Sequence, residues 1–195
     1  VGGIALSGTD AGNYSLVNTT TTTTANITPK ALTPSVTAPN KIYDGNTTAI
    51  PTLTITSGLI GAETVAATGI ATFNSRNVAS ANLVTVNTTS LADGSNGGLA
   101  TNYSLAAGQT VAARITPKAL TATVAAPSKT YDGTTTATPT LTINPADFVV
   151  GETVTATGTA TFNTKNVATA NLVTVNTTSL ANGTGDGTNY SLAAG

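Results

Sequence analysis

The feature that most constrains this chain is a long tandem repeat. The run Ile27-Thr28-Pro29-Lys30-Ala31-Leu32 returns as Ile115-Thr116-Pro117-Lys118-Ala119-Leu120. Lys41-Ile42-Tyr43-Asp44-Gly45 returns as Lys129-Thr130-Tyr131-Asp132-Gly133, and Ala71-Thr72-Phe73-Asn74 as Ala160-Thr161-Phe162-Asn163. The stretch from Asn82 to Leu91 recurs unchanged from Asn171 to Leu180. Asn-Tyr-Ser-Leu occurs three times, beginning at Asn13, Asn102 and Asn189. The spacing drifts only at residues 57–62 and in the glycine-rich stretch 93–100, as expected where surface loops absorb length changes. A repeat of this kind sets the whole fold, because each copy must form the same unit and stack on its neighbours. The chain divides into residues 1–26, the C-terminal end of a preceding repeat; 27–114, a complete repeat; and 115–195, a second repeat without its last strand. The sequence from Val1 carries neither a basic region nor an apolar leader, so it reads as an internal piece of something longer.

Within each copy the hydrophobic period is two. Val154, Ala156, Gly158, Ala160 and Phe162 alternate with Thr155, Thr157, Thr159 and Thr161, and Val65, Ala67, Gly69, Ala71 and Phe73 form the equivalent stripe. Leu53 and Ile55 alternate with threonines, as do Leu141 and Ile143. Val84 and Val86 face away from Leu83 and Thr85. No amphipathic helix of useful length appears. Threonine and valine are β-branched and suit a pleated surface. The density predicts six or seven strands per repeat, including one over 110–114. The fold class is all-β: tandem, elongated, antiparallel sandwich-like or β-grasp-like repeat domains in a rod.

Composition narrows the function. Lys plus Arg is 7 and Asp plus Glu is 8, a net charge of -1, so no basic field exists for nucleic acid or an anionic membrane. No stretch reaches the roughly 20 apolar residues of a membrane span. With no His and no Cys, the commonest general base and the thiol nucleophile are both missing. Asp44 with Glu63, and Asp132 with Glu152, are the recurrent acids, but active sites are seldom copied into each unit of an array. The chain is therefore expected not to be an enzyme and to need no cofactor. Glu63 and Glu152 read as exposed strand edges.

Proline holds its preceding residue extended. Pro29 and Pro117 sit at the repeat junctions, with no Gly-Ser linker between units. One stiff strand is expected to run from the last sheet position of one repeat into the first of the next. In Lys41, Tyr43, Asp44 and Gly45, and in Lys129, Tyr131, Asp132 and Gly133, the Asp is suited to accept backbone N–H groups two residues on. The Gly tolerates positive φ, and the Tyr ring is expected to anchor a small core.

These motifs in this order resemble the YDG/MBG class of tandem repeats of bacterial surface adhesins, often of filamentous-haemagglutinin type. They are Lys-x-Tyr-Asp-Gly-x-Thr, Ala-Thr-Phe-Asn-x-(basic)-Asn-Val, Asn-Tyr-Ser-Leu and Ile-Thr-Pro-Lys-Ala-Leu. The resemblance covers almost the whole chain. It implies a secreted, extracellular or cell-surface location in Gram-negative bacteria, a part in adhesion or biofilm formation, and no catalytic residues.

The junctions carry Lys30, Lys118 and Arg114 and no acid, and Asp93 and Asp186 stand singly, so no calcium-braced joint is expected. A twisted threonine row occurring once per long repeat is a poor template for ordered water. Of the Asn-x-Ser/Thr sequons, Asn46 and Asn87 are the candidate glycan sites, whereas Asn102 and Asn189 precede a tyrosine expected in the core. An internal isopeptide bond drawing on Lys41 or Lys129 near Glu63 or Glu152 ranks low. The function expected is a structural stalk or spacer of a long adhesin or extracellular filament, its partners the neighbouring repeats. The alternative is a direct binding module for carbohydrate or for neighbouring filament subunits. Self-assembly by strand pairing also follows if a segment such as residues 18–29 of another molecule closes the incomplete repeat.

Overall fold

The computed structural model describes residues 3–192; Val1, on which the reading of the chain's opening rests, and the last three residues of the second repeat lie outside them. The molecule is all-β, and its only helical elements are three-residue 3-10 turns among the described residues. No helix is long and apolar enough to cross a membrane.

In the complete repeat, Val65–Phe73 pairs antiparallel with Leu83–Asp93, flanked by Thr48–Ala49 on one side and Thr110–Ala112 on the other. Thr33–Thr37 and Thr52–Ser57 form a separate antiparallel pair. The second repeat repeats the arrangement: Thr136–Ala137, Val154–Phe162 and Val173–Asn182 in one sheet, Ala122–Ala125 with Thr140–Ile143 in another. The period-two stripes face inward as expected. In Val65–Phe73, Ala71 and Phe73 are buried and Ala66, Thr68 and Ile70 are exposed. Val84 and Val86 are buried, and Leu53 and Ile143 close over the stripes from the facing pairs. The result is a small sandwich-like unit with a core of valine, leucine and alanine.

Two departures from simple alternation have local causes. The long hairpins carry a bulge between Ile70 and Ala71, and between Thr159 and Ala160. Asn87 and Asn176 take up the extra position, each donating its side-chain N–H to a neighbouring threonine hydroxyl, Thr72 at 3.0 Å and Thr161 at 3.3 Å. Gly69 lies where the facing sheet presses in. A Cβ there would stand 2.8 Å from the Thr88 carbonyl oxygen and 3.0 Å from Leu53 Cδ1.

Strand segments outnumber the expected six or seven, because the complete repeat holds four of only two residues: Lys30–Ala31, Lys41–Ile42, Thr48–Ala49 and Tyr103–Ser104. Among the described residues three ladders are parallel, which alternation does not reveal: Lys30–Ala31 with Tyr103–Ser104, Lys118–Leu120 with Tyr190–Leu192, and Lys41–Ile42 with Ile115–Thr116. The last joins the Tyr-Asp-Gly region to the strand that leads into the second repeat. The single junction strand expected is instead three short ones, Thr110–Ala112, Ile115–Thr116 and Lys118–Leu120: the strand predicted over 110–114 stops at Ala112, and a second break falls at Pro117, which has no N–H to give a ladder.

Gly69→Val should lower the unfolding midpoint in urea, with a cost of about 1–3 kcal/mol, since the Thr88 backbone has to move to admit the side chain. An unchanged midpoint would show that the two sheets do not press together there.

Candidate functional site: the inter-repeat joint

The repeated motifs converge where one repeat meets the next. Lys41 opens the site. Its Nζ donates to Asp44 Oδ1 at 2.7 Å, to the Asn46 carbonyl at 2.9 Å and to Asn46 Oδ1 at 2.8 Å. It also stands 5.8 Å from the centre of the Phe73 ring. Asp44 Oδ1 accepts the Asn46 N–H, and Asn46 Oδ1 accepts the Thr48 N–H. Burial would raise the Asp44 carboxyl, but the hydrogen bonds and charge of Lys41 and the Asn46 N–H prevail and lower it. The second copy matches: Lys129 binds Asp132 and Thr134 and lies 5.8 Å from the Phe162 ring. Asp132 falls to about 2, held first by the Lys129 hydrogen bond and then by the Thr134 N–H and hydroxyl.

This turn presents Tyr43 to the second repeat. Tyr43 is 2 % exposed; Tyr131, in the same motif, is 60 % exposed. The ring expected to anchor its own repeat's core is thus an anchor for the neighbour. Tyr43 meets Tyr190 edge to face, with centroids 5.5 Å apart. Both hydroxyls donate to one carboxylate: Tyr43 to Glu152 Oε1 and Tyr190 to Glu152 Oε2, each at 2.7 Å. Glu63 in the first repeat accepts from Tyr103 alone, with its second oxygen facing no Tyr-Asp-Gly tyrosine. The two glutamates are therefore half-buried phenol acceptors and not exposed strand edges. Burial first, and the Glu152 hydrogen bond and charge second, push the Tyr43 hydroxyl up to about 12, against a smaller opposing effect of Arg76. The same two causes raise Tyr190.

Gly45 completes the contact. Its φ of +82° requires glycine, and a Cβ would stand 2.8 Å from Val149 Cγ1 of the second repeat. Gly133 has the same φ, +79°, with open space around it. Asn189 is the second cross-repeat anchor: its Oδ1 accepts the Val78 N–H at 2.8 Å and its Nδ2 donates to Asn77 Oδ1 at 3.3 Å. Asn189 is buried and Asn102 is exposed, although they occupy the same motif. The strand 115–116 seals the joint. The Lys41 N–H donates to the Arg114 carbonyl and the Tyr43 N–H to the Thr116 carbonyl, while Ile115 is buried. Tyr43, Ile115, Leu120 and Tyr190 belong to one hydrophobic cluster that runs through both repeats.

The remaining sequence candidates fall outside this contact or at its edge. Pro117 marks the crossing between repeats, and Pro29 precedes the first strand of the complete repeat. Asn46 and Asn87 are exposed, but Asn46 Oδ1 is held by Lys41 and Thr48, and Asn87 Nδ2 by Thr72. Asp93 accepts the Ala100 N–H and Asp186 the Thr188 N–H and hydroxyl, so both close turns. Lys41 points to Asp44 and Asn46 while Glu63 binds Tyr103, which separates the pieces of the isopeptide candidate. No cluster of three or more metal-ligating side chains occurs among the described residues.

The YDG domain family model matches the chain twice, over residues 28–111 and 116–195. The chain belongs to the YDG domain family, as a tandem pair. Searches of curated proteins and of solved structures returned no match.

Tyr43→Phe should lower stability by about 1.5–3 kcal/mol, the range for a hydrogen bond to a charged group. Tyr131→Phe, at the solvent-exposed copy, should be near neutral. Equal effects in denaturant titrations would refute the assignment of Tyr43 to the joint. The tyrosine also gives a pH signature. Its folded value of about 12 lies above the ordinary value of 10.0, so its contribution is complete below pH ~10 and is lost as pH rises through ~12. Ultraviolet titration should show phenol ionisation delayed into that window, and Glu152→Gln should bring part of it back down. A titration with no late-ionising tyrosine would contradict the buried contact.

Proposed function

We propose that this chain is part of the stalk of a long secreted bacterial adhesin or extracellular filament, in which the repeats act as spacers. The observation that carries this reading is the joint. Two repeats share a backbone ladder, a hydrophobic cluster and two polar anchors, with no flexible linker between them. Such a contact restricts bending and adds nearest-neighbour stability along an array. A stalk needs little else: strand ladders to carry load and a surface with few charges. The family resemblance supports a cell-surface location and a role in adhesion or biofilm formation. In this reading the tip ligand is held by another part of the molecule, and the repeats have no catalytic task.

Small-angle scattering on the chain, with and without a calcium chelator, tests the mechanical reading. The expected result is an extended, stiff profile unchanged by chelation. A compact particle, or a rod that collapses when calcium is removed, would overturn it. Specific saturable binding of the chain to a glycan panel would favour the direct binding module instead.

A further inference from the structure

Each repeat is entered through a short strand whose ladder is parallel. Lys30–Ala31 pairs with Tyr103–Ser104, and Lys118–Leu120 pairs with Tyr190–Leu192. The Leu32 N–H extends the first ladder, donating to the Ser104 carbonyl at 2.9 Å. The partner strand belongs to the Asn-Tyr-Ser-Leu motif, and it is tied down independently. The Tyr103 hydroxyl donates to Glu63 and accepts the Ile60 N–H at 3.2 Å. The Leu105 carbonyl accepts from the hydroxyl of Thr89, on the long hairpin, at 2.7 Å. The turn at Gly58 packs closely on the entry strand as well: a Cβ there would stand 2.7 Å from the Ala31 carbonyl oxygen. The second repeat adds a latch, where Asp147 Oδ2 accepts the Thr121 N–H at 2.7 Å and the Thr121 hydroxyl at 2.6 Å.

The way out of the complete repeat is built alike. Ile115–Thr116 runs parallel to Lys41–Ile42, and Pro117 alone separates it from Lys118. Proline holds Thr116 extended. The crossing chain is thus bonded to the first repeat on one side of Pro117 and to the second on the other, in a parallel ladder each time. Tension between the repeats runs along this segment. It draws Ile115–Thr116 toward its C-terminal end and Lys118–Leu120 toward its N-terminal end. Each strand is pulled along its own axis, past a partner held in the body of its repeat. In that geometry all the bonds of a ladder share the load and break together. A ladder loaded across its axis opens one bond at a time.

We propose that the entry ladder on the Asn-Tyr-Ser-Leu strand is a mechanical clamp, loaded in shear, that keeps a repeat from unfolding when the chain is pulled. Forced unfolding is governed by the unfolding rate and not by equilibrium stability. A ladder of two or three residue pairs adds little to stability in water. In shear the same ladder has to yield before tension reaches the sheets behind it. The tyrosine of the motif supplies the fixed side of the clamp, because its hydroxyl ties the partner strand to Glu63 and Ile60, as Tyr190 is tied to Glu152 and Val149. The clamp gives the spacer reading a load path and rests on that reading for its purpose only.

Single-molecule pulling on the whole chain tests the clamp. The chain has no cysteine, so two introduced thiols set where the handles attach. Thr28→Cys with Ala107→Cys pulls the entry strand and its partner from opposite ends and loads the ladder in shear. Thr28→Cys with Thr101→Cys pulls them from the same end and peels the ladder open. These positions are exposed and outside every strand, so the fold is kept. At one loading rate the first pair should rupture at a severalfold higher force than the second. Equal forces, or a lower force in the first geometry, would overturn the clamp. A chain that scatters as a stiff rod yet ruptures alike in both geometries would lose the clamp and keep the spacer reading. A chain that scatters as a compact particle yet resists shear more than peeling would keep the clamp and lose the spacer.

Discussion

The structure depends on one carboxylate that receives two phenols from different repeats. Glu152 accepts from Tyr43 and from Tyr190, and those rings also touch each other. Alone, a carboxylate moved out of bulk water is costly, and so is a buried hydroxyl without an acceptor. Together they satisfy one another, and the surrounding apolar surface strengthens the contact by lowering the local dielectric. The joint is selective for the same reason. Tyr43 gains its acceptor only when the neighbouring repeat is seated, and Val149 settles against Gly45 in the same position.

The Lys-x-Tyr-Asp-Gly motif prepares that contact. Lys41, Asp44 and Asn46 bind one another across a tight turn, with Gly45 at positive φ in its middle. These bonds are exposed, so each contributes little alone. Their value lies in fixing the direction of the tyrosine before the next repeat arrives. The exposed copy supports this. Lys129, Asp132 and Thr134 form the same turn even though Tyr131 has no neighbour to meet. The turn is therefore preformed, and docking does not have to order it.

The segment 110–116, with its two short strands Thr110–Ala112 and Ile115–Thr116, serves two purposes. Its first half closes the open side of a sandwich, and its second half lies parallel to Lys41–Ile42 and carries the chain onward. Covering an edge and linking a repeat are thus done by one segment. Edge protection and array cohesion are coupled in this fold for that reason.

Several levels of the architecture were readable from the residues. Alternation of valine, alanine and threonine identified the inward faces of Val65–Phe73 and Val154–Phe162, because a pleat has a period of two whatever packs on it. The duplicated motifs marked the repeat, and Pro117 marked the crossing between units, although the crossing is made by short separate strands and not by a single one. Turn chemistry predicted the Asp-Gly geometry. What the sequence could not supply was the partner of each motif. Tyr43 and Tyr131 have the same local sequence and opposite burial, since burial depends on whether another repeat lies beside them. Glu63 and Glu152 looked like strand-edge charges because their tyrosine donors come from distant positions in the chain. Their recurrence with the Asn-Tyr-Ser-Leu tyrosine was the available signal. The parallel pairing of Lys41–Ile42 with Ile115–Thr116 has no local signature either, being two residues long. By itself the sequence determined the repeated strand pattern, the preformed turn and the crossing point, all consequences of near-neighbour geometry. Only the tertiary structure decided that these parts meet at a joint, because the joint is made from contacts between residues far apart in the chain.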